Sequence, residues 1–282
     1  MRATVFAEPP PAPPPAADPT RRPAANAYVG SLAVDPADGA LYLGTGLGLF
    51  RFEPRVGVRP VVGTLTVGQP TGTLSSNLVV RFAGPGKLLG SGHPEHGTLP
   101  ENLGLIRSMD GGRTWRPIAL FGDADFHVLQ VAGDRVVAVG AGEDTIRVST
   151  DGGGSFDSRA APGVAVDVVF DPAQLARMVA STEQGLFTSP NEGRGWRATD
   201  PSGAGSQLAW VASRALFRAD PDGKVRLSRD GGRSWQERGS AGATVHELVG
   251  DARGALYASV PGGDVKVSDD QGVTWRHLLR LR

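Results

Sequence analysis

The sequence predicts an all-β chain, a single β-propeller of six four-stranded blades rather than seven, and three observations carry that prediction. First, an octet of the form Ser-x-Asp-x-Gly-x-Thr/Ser-Trp stands at 108–115, 228–235 and 268–275, with worn copies at 149–156 and 189–196. Second, the five leading serines, Ser108, Ser149, Ser189, Ser228 and Ser268, follow one another at 41, 40, 39 and 40 residues. A fixed period near forty marks a repeat architecture. Third, the 282 residues include 40 glycines and 22 prolines but only 6% aromatics, a composition suited to many short strands joined by tight turns.

Each octet reads as a hairpin turn. Asp110, Asp151, Asp230 and Asp270, with Asn191 in the 189–196 copy, open the turn and accept hydrogen bonds from backbone N–H groups just ahead. The glycines that follow take φ > 0 without strain. Trp115, Trp196, Trp235 and Trp275, replaced by Phe156 in one copy, start the returning strand. There the ring covers the hairpin and the indole N–H finds a partner. All of these positions read as structural.

Residues 1–25 are a Pro/Ala-rich tract that reads as a disordered polyproline-II tether, and 26–282 as the propeller. No apolar segment follows Met1-Arg2, so the start is not an intact signal peptide. Such tethers commonly follow an export signal or lipid anchor, which points to a secreted or cell-envelope location with a cytoplasmic one left open. From Tyr28 short β-rich runs alternate with turn residues. Blade 1 uses 31–34, 40–44 and 47–52, and its octet is lost to Glu53-Pro54-Arg55-Val56-Gly57. Blade 2 begins near Asn77, and extra length stands at Gly68 to Ser76 and in an insertion from Gly92 to Leu103. Blades 3 to 6 begin near Phe126, Val164, Gln207 and Thr244. No sequence is left for a seventh blade. The C-terminus completes its own blade, so ring closure lacks an obvious shared strand; Arg2 to Phe6 is the one candidate.

Lys plus Arg and Asp plus Glu both total 29, so the formal charge is zero and no electrostatic case for nucleic acid follows. The absence of cysteine excludes disulfides and thiol chemistry. No apolar run is long enough to span a membrane.

The octet resembles the Asp-box, or BNR repeat, of sialidase-like propellers. That resemblance implies a turn between the third and fourth strands of a blade, on the face away from any active site. A pocket then falls to the loops joining second to third strands and fourth to first strands. Those loops supply His93, Glu95 and His96 in blade 2, then Asp125 and His127 at the head of blade 3. They also supply Glu143, Asp144, Glu183, Asp220, Asp222 and Asp264. His93, Glu95, His96, Asp125 and His127 are the candidate pocket residues, and His93 with His127 the candidate ligands of a divalent metal. No cofactor is required. His246 reads as a packing residue of an inner strand, and His277 as exposed.

Gly90-Ser91-Gly92-His93-Pro94 and Asp125-Phe126-His127 resemble a narrower group, bacterial BNR-repeat proteins labelled glycosylhydrolases or exo-sialidase-like, many of them exported. The likeness runs from about residue 28 to the end. A first-blade His-Gly-Leu typical of that group reads Gly30-Ser31-Leu32 here. Sialidase chemistry needs an arginine cluster, a Tyr nucleophile and an acidic Asp. The Phe/Tyr-Arg-Ile-Pro motif is missing, and only Tyr257 is placed to serve as the tyrosine. The expected function is therefore a non-catalytic or weakly catalytic binding or scaffold propeller of the bacterial envelope, monomeric, with a glycan, small-molecule or protein ligand. The alternatives are an exo-sialidase-like glycoside hydrolase using loop carboxylates, and a complex-assembly factor of the BNR-propeller type.

Overall fold

The computed structural model describes residues 28–66, 71–74, 78–94, 99–212 and 215–281. The 1–25 tract, the Arg2 to Phe6 strand candidate, Glu95 and His96 lie outside them. Blade 1 comprises β1 (Val29–Val34), β2 (Leu41–Thr45), β3 (Gly48–Glu53) and β4 (Gly57–Val61). A hairpin of β5 (Gly63–Thr66) and β6 (Thr71–Leu74) follows, and then blade 2, with β7 (Leu78–Gly84), β8 (Lys87–Gly92), β9 (Leu105–Ser108) and β10 (Thr114–Ala119). Blade 3 holds β11 (Phe126–Ala132), β12 (Arg135–Gly140), β13 (Thr145–Ser149) and β14 (Asp157–Ala160). Blade 4 holds β15 (Ala165–Asp171), β16 (Gln174–Thr182), β17 (Gly185–Ser189) and β18 (Arg197–Asp200). Blade 5 holds β19 (Gln207–Ala212), β20 (Ala215–Ala219), β21 (Lys224–Ser228) and β22 (Gln236–Ser240). Blade 6 ends the ring with β23 (Glu247–Gly250), β24 (Leu256–Val260), β25 (Asp264–Ser268) and β26 (Arg276–Arg280).

Each blade contains an antiparallel meander of four strands. Burial falls outward along it. The second strands β2 and β24 are buried at every position, while the fourth strands β14, β22 and β26 are mostly exposed. That gradient explains the continuous apolar runs such as Val136 to Val139, since a strand covered on both faces has no place for polar alternation. The core lies between blades. Six apolar clusters occupy six interfaces; one, for instance, packs Val137, Val139 and Ile146 of blade 3 on Val168, Phe170 and Met178 of blade 4.

Blade 2 is a six-stranded sheet among the described residues, because β5 pairs in parallel with β10 through Thr64–Thr114 and Leu65–Trp115, and β6 pairs with β5. Part of the extra length between blades 1 and 2 thus extends a sheet, and Leu65 and Leu74 bury themselves against Trp115. Ring closure, moreover, uses no exchanged strand among the described residues. Blades 1 and 6 each complete their own four strands and meet through side chains, with Leu32, Leu43 and Phe50 on Tyr257, Val265 and Val267.

The five octets adopt one turn. In the first, Asp110 Oδ1 accepts from the N–H groups of Arg113 and Thr114 at 3.1 and 2.8 Å, and Oδ2 accepts from the Thr114 hydroxyl at 2.6 Å. The leading serine has a role of its own. Its hydroxyl accepts from the N–H four residues on, at 2.8–2.9 Å in all five copies, and donates to the Asp or Asn that follows. The turn needs two left-handed residues, Gly111 and Gly112 in blade 2. In blades 4 and 6 Glu192 and Gln271 take the first of these positions. Trp115, Trp275 and Trp196 donate their indole N–H to Gly112 O, Gly272 O and Ala160 O. Trp235 departs from the expectation: among the described residues its buried Nε1 has no hydrogen-bond partner, and the Arg218 guanidinium lies 4.8 Å from its ring centroid.

Candidate functional site

The turns joining first to second strands lie beside the octets, as the hydrogen bonds Gly111 N to Gly86 O and Gly152 N to Asp134 O require. The loops after the second strands instead bond those that lead into the first strands, as in Gly104 N to Ala124 O and Ala161 N to Asp144 O. His93, at the end of β8, and Asp125, just before β11, belong to this second set. His127 is the second residue of β11. All three therefore sit at the end of the ring opposite the octets.

Asp125 joins the two histidines. Its Oδ2 lies 3.1 Å from His93 Nδ1 and 2.8 Å from His127 Nε2, and the imidazole rings are 6.3 Å apart. Asp125 Oδ1 is buried and makes no hydrogen bond among the described residues. Burial works to raise the Asp125 carboxyl, but the hydrogen bond and charge of His127, with those of His93, hold it below the ordinary range. The same hydrogen bond raises His127, against the opposing effect of its burial. Both imidazoles turn to one carboxylate oxygen, and among the described residues no group of three or more His, Cys, Asp or Glu is arranged to hold a metal ion.

These side chains line a cavity of about 290 Å³ at the channel, together with Tyr28, His246 and Glu247. His246 is a correction. It precedes β23, and its ring stacks at 5.0 Å, tilted, on that of Tyr28. Burial lowers its pKa. His277 is exposed, 3.4 Å from Asp264.

Behind the histidines lies a buried ionic cluster that the loop rule misses. Arg81 of β7 donates to Glu247 Oε1 of β23 at 2.5 Å and to Leu32 O and Val80 O at 3.2 and 2.9 Å. Asp167 of β15 accepts from the N–H groups of Val168 and Leu208, each at 2.8 Å. Burial pushes Asp167 up to about 6 against these bonds. It pushes Glu247 up to about 7, opposed by Arg81 and reinforced by Asp167. The sequence signal was present, as ionisable residues standing in otherwise apolar first strands (LVVRFAG, AVDVVFD, HELVG); a rule confined to loops passes over it.

Three of the loop acids are committed to arginines. Glu143 pairs with Arg147, Asp220 with Arg218 and Arg226, and Asp264 with Arg280; none of them lines the cavity. Tyr257 lies in the core between blades 6 and 1, its hydroxyl 3.4 Å from Asp251, and is not at the channel.

The fold and this axial pocket define a six-bladed β-propeller. No family profile and no curated protein matches the sequence. Among solved structures it is similar to an ancestral GH74 enzyme, at 15% identity and a TM-score of 0.58 over 92% of this chain and 39% of that one. The chain thus spans about two fifths of that enzyme's length. It is similar also to YCF48 from Cyanidioschyzon merolae, at 16% identity and a TM-score of 0.52 over 90% and 85% of the two chains. A third likeness is the WD40 propeller domain of Doa1, at 12% identity and a TM-score of 0.59 over 93% and 86%. Among the described residues no helix is long and apolar enough to cross a membrane.

Proposed function

We propose that the chain is a binding propeller of the sialidase-like Asp-box type, working at the bacterial envelope, whose ligand enters the channel end formed by His93, Asp125, His127, His246 and Tyr28. The observation that carries this reading is the convergence of three histidines and one shared carboxylate on a cavity of about 290 Å³. That volume suits one small polar group, such as a sugar ring or a peptide end. Its donors and acceptors include the imidazoles, a phenol and the Asp125 carboxylate, with Arg81, Gln207 and Glu247 deeper in the lining. Commitment of Glu143, Asp220 and Asp264 to arginines favours binding over hydrolysis.

A hydrolytic reading has one observation of its own. Asp125 is held low and Glu247 is raised to about 7 in the same cavity, the divergence that separates base from acid in glycoside cleavage. The pairing of Glu247 with Arg81 weighs against it. One experiment separates the two: a panel of free glycans and aryl glycosides, sialosides included, is tested for binding by calorimetry and for turnover by chromophore release. The expected result is binding without turnover, abolished in the His93→Ala/His127→Ala variant at unchanged melting temperature. Turnover that disappears in Asp125→Asn and in Glu247→Gln would establish the hydrolase instead.

A further inference from the structure

We propose that the cleft between blades 4 and 5, on the octet side of the ring, is a second binding site and takes an acidic peptide segment of a partner protein. The cleft is a cavity of about 530 Å³ bounded by Arg177, Met178, Pro190, Arg197, Trp210 and Arg233. It continues into a shallower space of about 730 Å³ that shares Arg177, Pro190 and Arg233 and adds Arg229. It stands apart from the histidine cavity, because Pro190 and Arg233 belong to two neighbouring octets.

Four arginines therefore meet in one cleft, against two carboxylates, Asp171 and Asp230, in its lining. Arg177 pairs with Asp171 at 3.0 Å. Among the described residues Arg197 and Arg233 form no ion pair, and the Arg229 side chain meets only the Gln271 oxygen at 3.0 Å. Asp230, at the cleft edge, spends both carboxylate oxygens on its own turn. The floor is Trp210, packed on the core between blades 4 and 5. Its Nε1 is buried without a hydrogen-bond partner among the described residues. Gly231 keeps the cleft in this shape. A Cβ there would stand 2.0 Å from Arg177 Nη2, displacing the guanidinium that lies 5.6 Å from the Trp210 ring centroid.

The chemistry of the lining selects the ligand. Guanidinium forks bind carboxylates in a bidentate, planar fashion. Spread along a cleft beside Met178 and Pro190, they fit an extended segment that alternates acidic with apolar side chains. An anionic glycan fits less well, because a sugar ring stacks on an open aromatic face and Arg177 already lies over Trp210.

The test is fluorescence anisotropy with the full chain and a fluorescein-labelled peptide of glutamates interspersed with leucines. Binding is expected to weaken by about tenfold or more in Arg197→Glu/Arg233→Glu, equivalent to the loss of one charge-assisted contact or more, and to weaken on raising the salt. Both arginines are exposed, so an unchanged melting temperature is expected for that variant. Arg197→Lys/Arg233→Lys should recover part of the affinity. His93→Ala/His127→Ala should bind as the parent does, which keeps this site separate from the channel. Equal binding of the peptide with glutamine for glutamate would overturn the proposal. So would binding unaffected by Arg197→Glu/Arg233→Glu, or displacement of the peptide by a heparin oligosaccharide that binds more tightly.

Discussion

At the scale of single residues, the octet Asp gathers donors that the turn would otherwise leave unpaired. Asp230 Oδ1 accepts from Arg233 N and Ser234 N at 3.1 and 3.0 Å, and Oδ2 accepts from the Ser234 hydroxyl at 2.6 Å. Burial works to raise its carboxyl, yet these bonds hold it at about 2, below the ordinary 3.8. Asn191 shows how much of this survives without charge, for its Oδ1 still accepts from Gly195 N at 3.0 Å. Asp230→Ala is therefore expected to destabilise the fold by about 1–2 kcal/mol at neutral pH through lost turn bonds, and Asp230→Asn by less, as read from urea denaturation. A depressed carboxyl stabilises fully above its unfolded value, and that stability is lost as pH falls through the folded one. The acid limb between about 4 and about 2 should thus be shallower in both variants. Ligand affinity at the channel should not change; a large loss there at constant stability would mean that the channel ligand is held on the octet face instead.

At the scale of elements, the indoles of the octets are not equivalent. Trp115 is 1% exposed because β5 and β6 cover it, whereas Trp196, Trp235 and Trp275 are only partly buried. Removing a fully buried indole costs its transfer free energy and leaves a cavity, so Trp115→Ala is expected to lose about 3–5 kcal/mol. Trp275→Ala should lose clearly less, and the comparison is made by urea unfolding of the two variants. Equal losses would mean that the β5–β6 hairpin adds nothing to the burial that matters. The hairpin was only half legible. Extra length between blades 1 and 2 was visible, but a strand of four residues that pairs in parallel with a partner some fifty positions away has no local signature.

At the scale of the whole molecule, the titrating groups fall into two populations with opposite signs. Octet carboxylates are depressed, so their contribution disappears below about pH 4. Asp167 and Glu247 are raised by burial, to about 6 and about 7, so the folded state binds more protons than the unfolded chain above pH 4, and stability declines as pH rises through those values. His127 is raised by Asp125, and its contribution likewise fades as pH rises past its folded value. Together these place the optimum at about pH 4–5, with His246, lowered by burial, opposing part of the decline as pH rises towards its unfolded value. Urea midpoints measured from pH 3 to 8 should peak there, and Glu247→Gln should flatten the decline towards pH 8. Midpoints that rise steadily from pH 5 to 8 would contradict the buried cluster.

What the sequence by itself determined was the repeat and everything that follows within one hairpin: the period, the six blades, the Ser and Asp that close each octet and the glycines that admit its φ angles. Those interactions span at most a few residues, so they are written contiguously. The tertiary structure alone decided which side chains meet on the axis. Each first strand offers its own residues to the channel, and only closure of the ring brings Arg81 and Glu247, 166 positions apart, within 2.5 Å. It likewise sets His246 beside Tyr28 and three blade-4 and blade-5 arginines into one cleft with Arg177. His93 and His127 were legible because they flank one loop crossing. His246 was not, because its neighbours are chosen by the meeting of the last blade with the first, a contact made by shape and apolar area rather than by any local pattern.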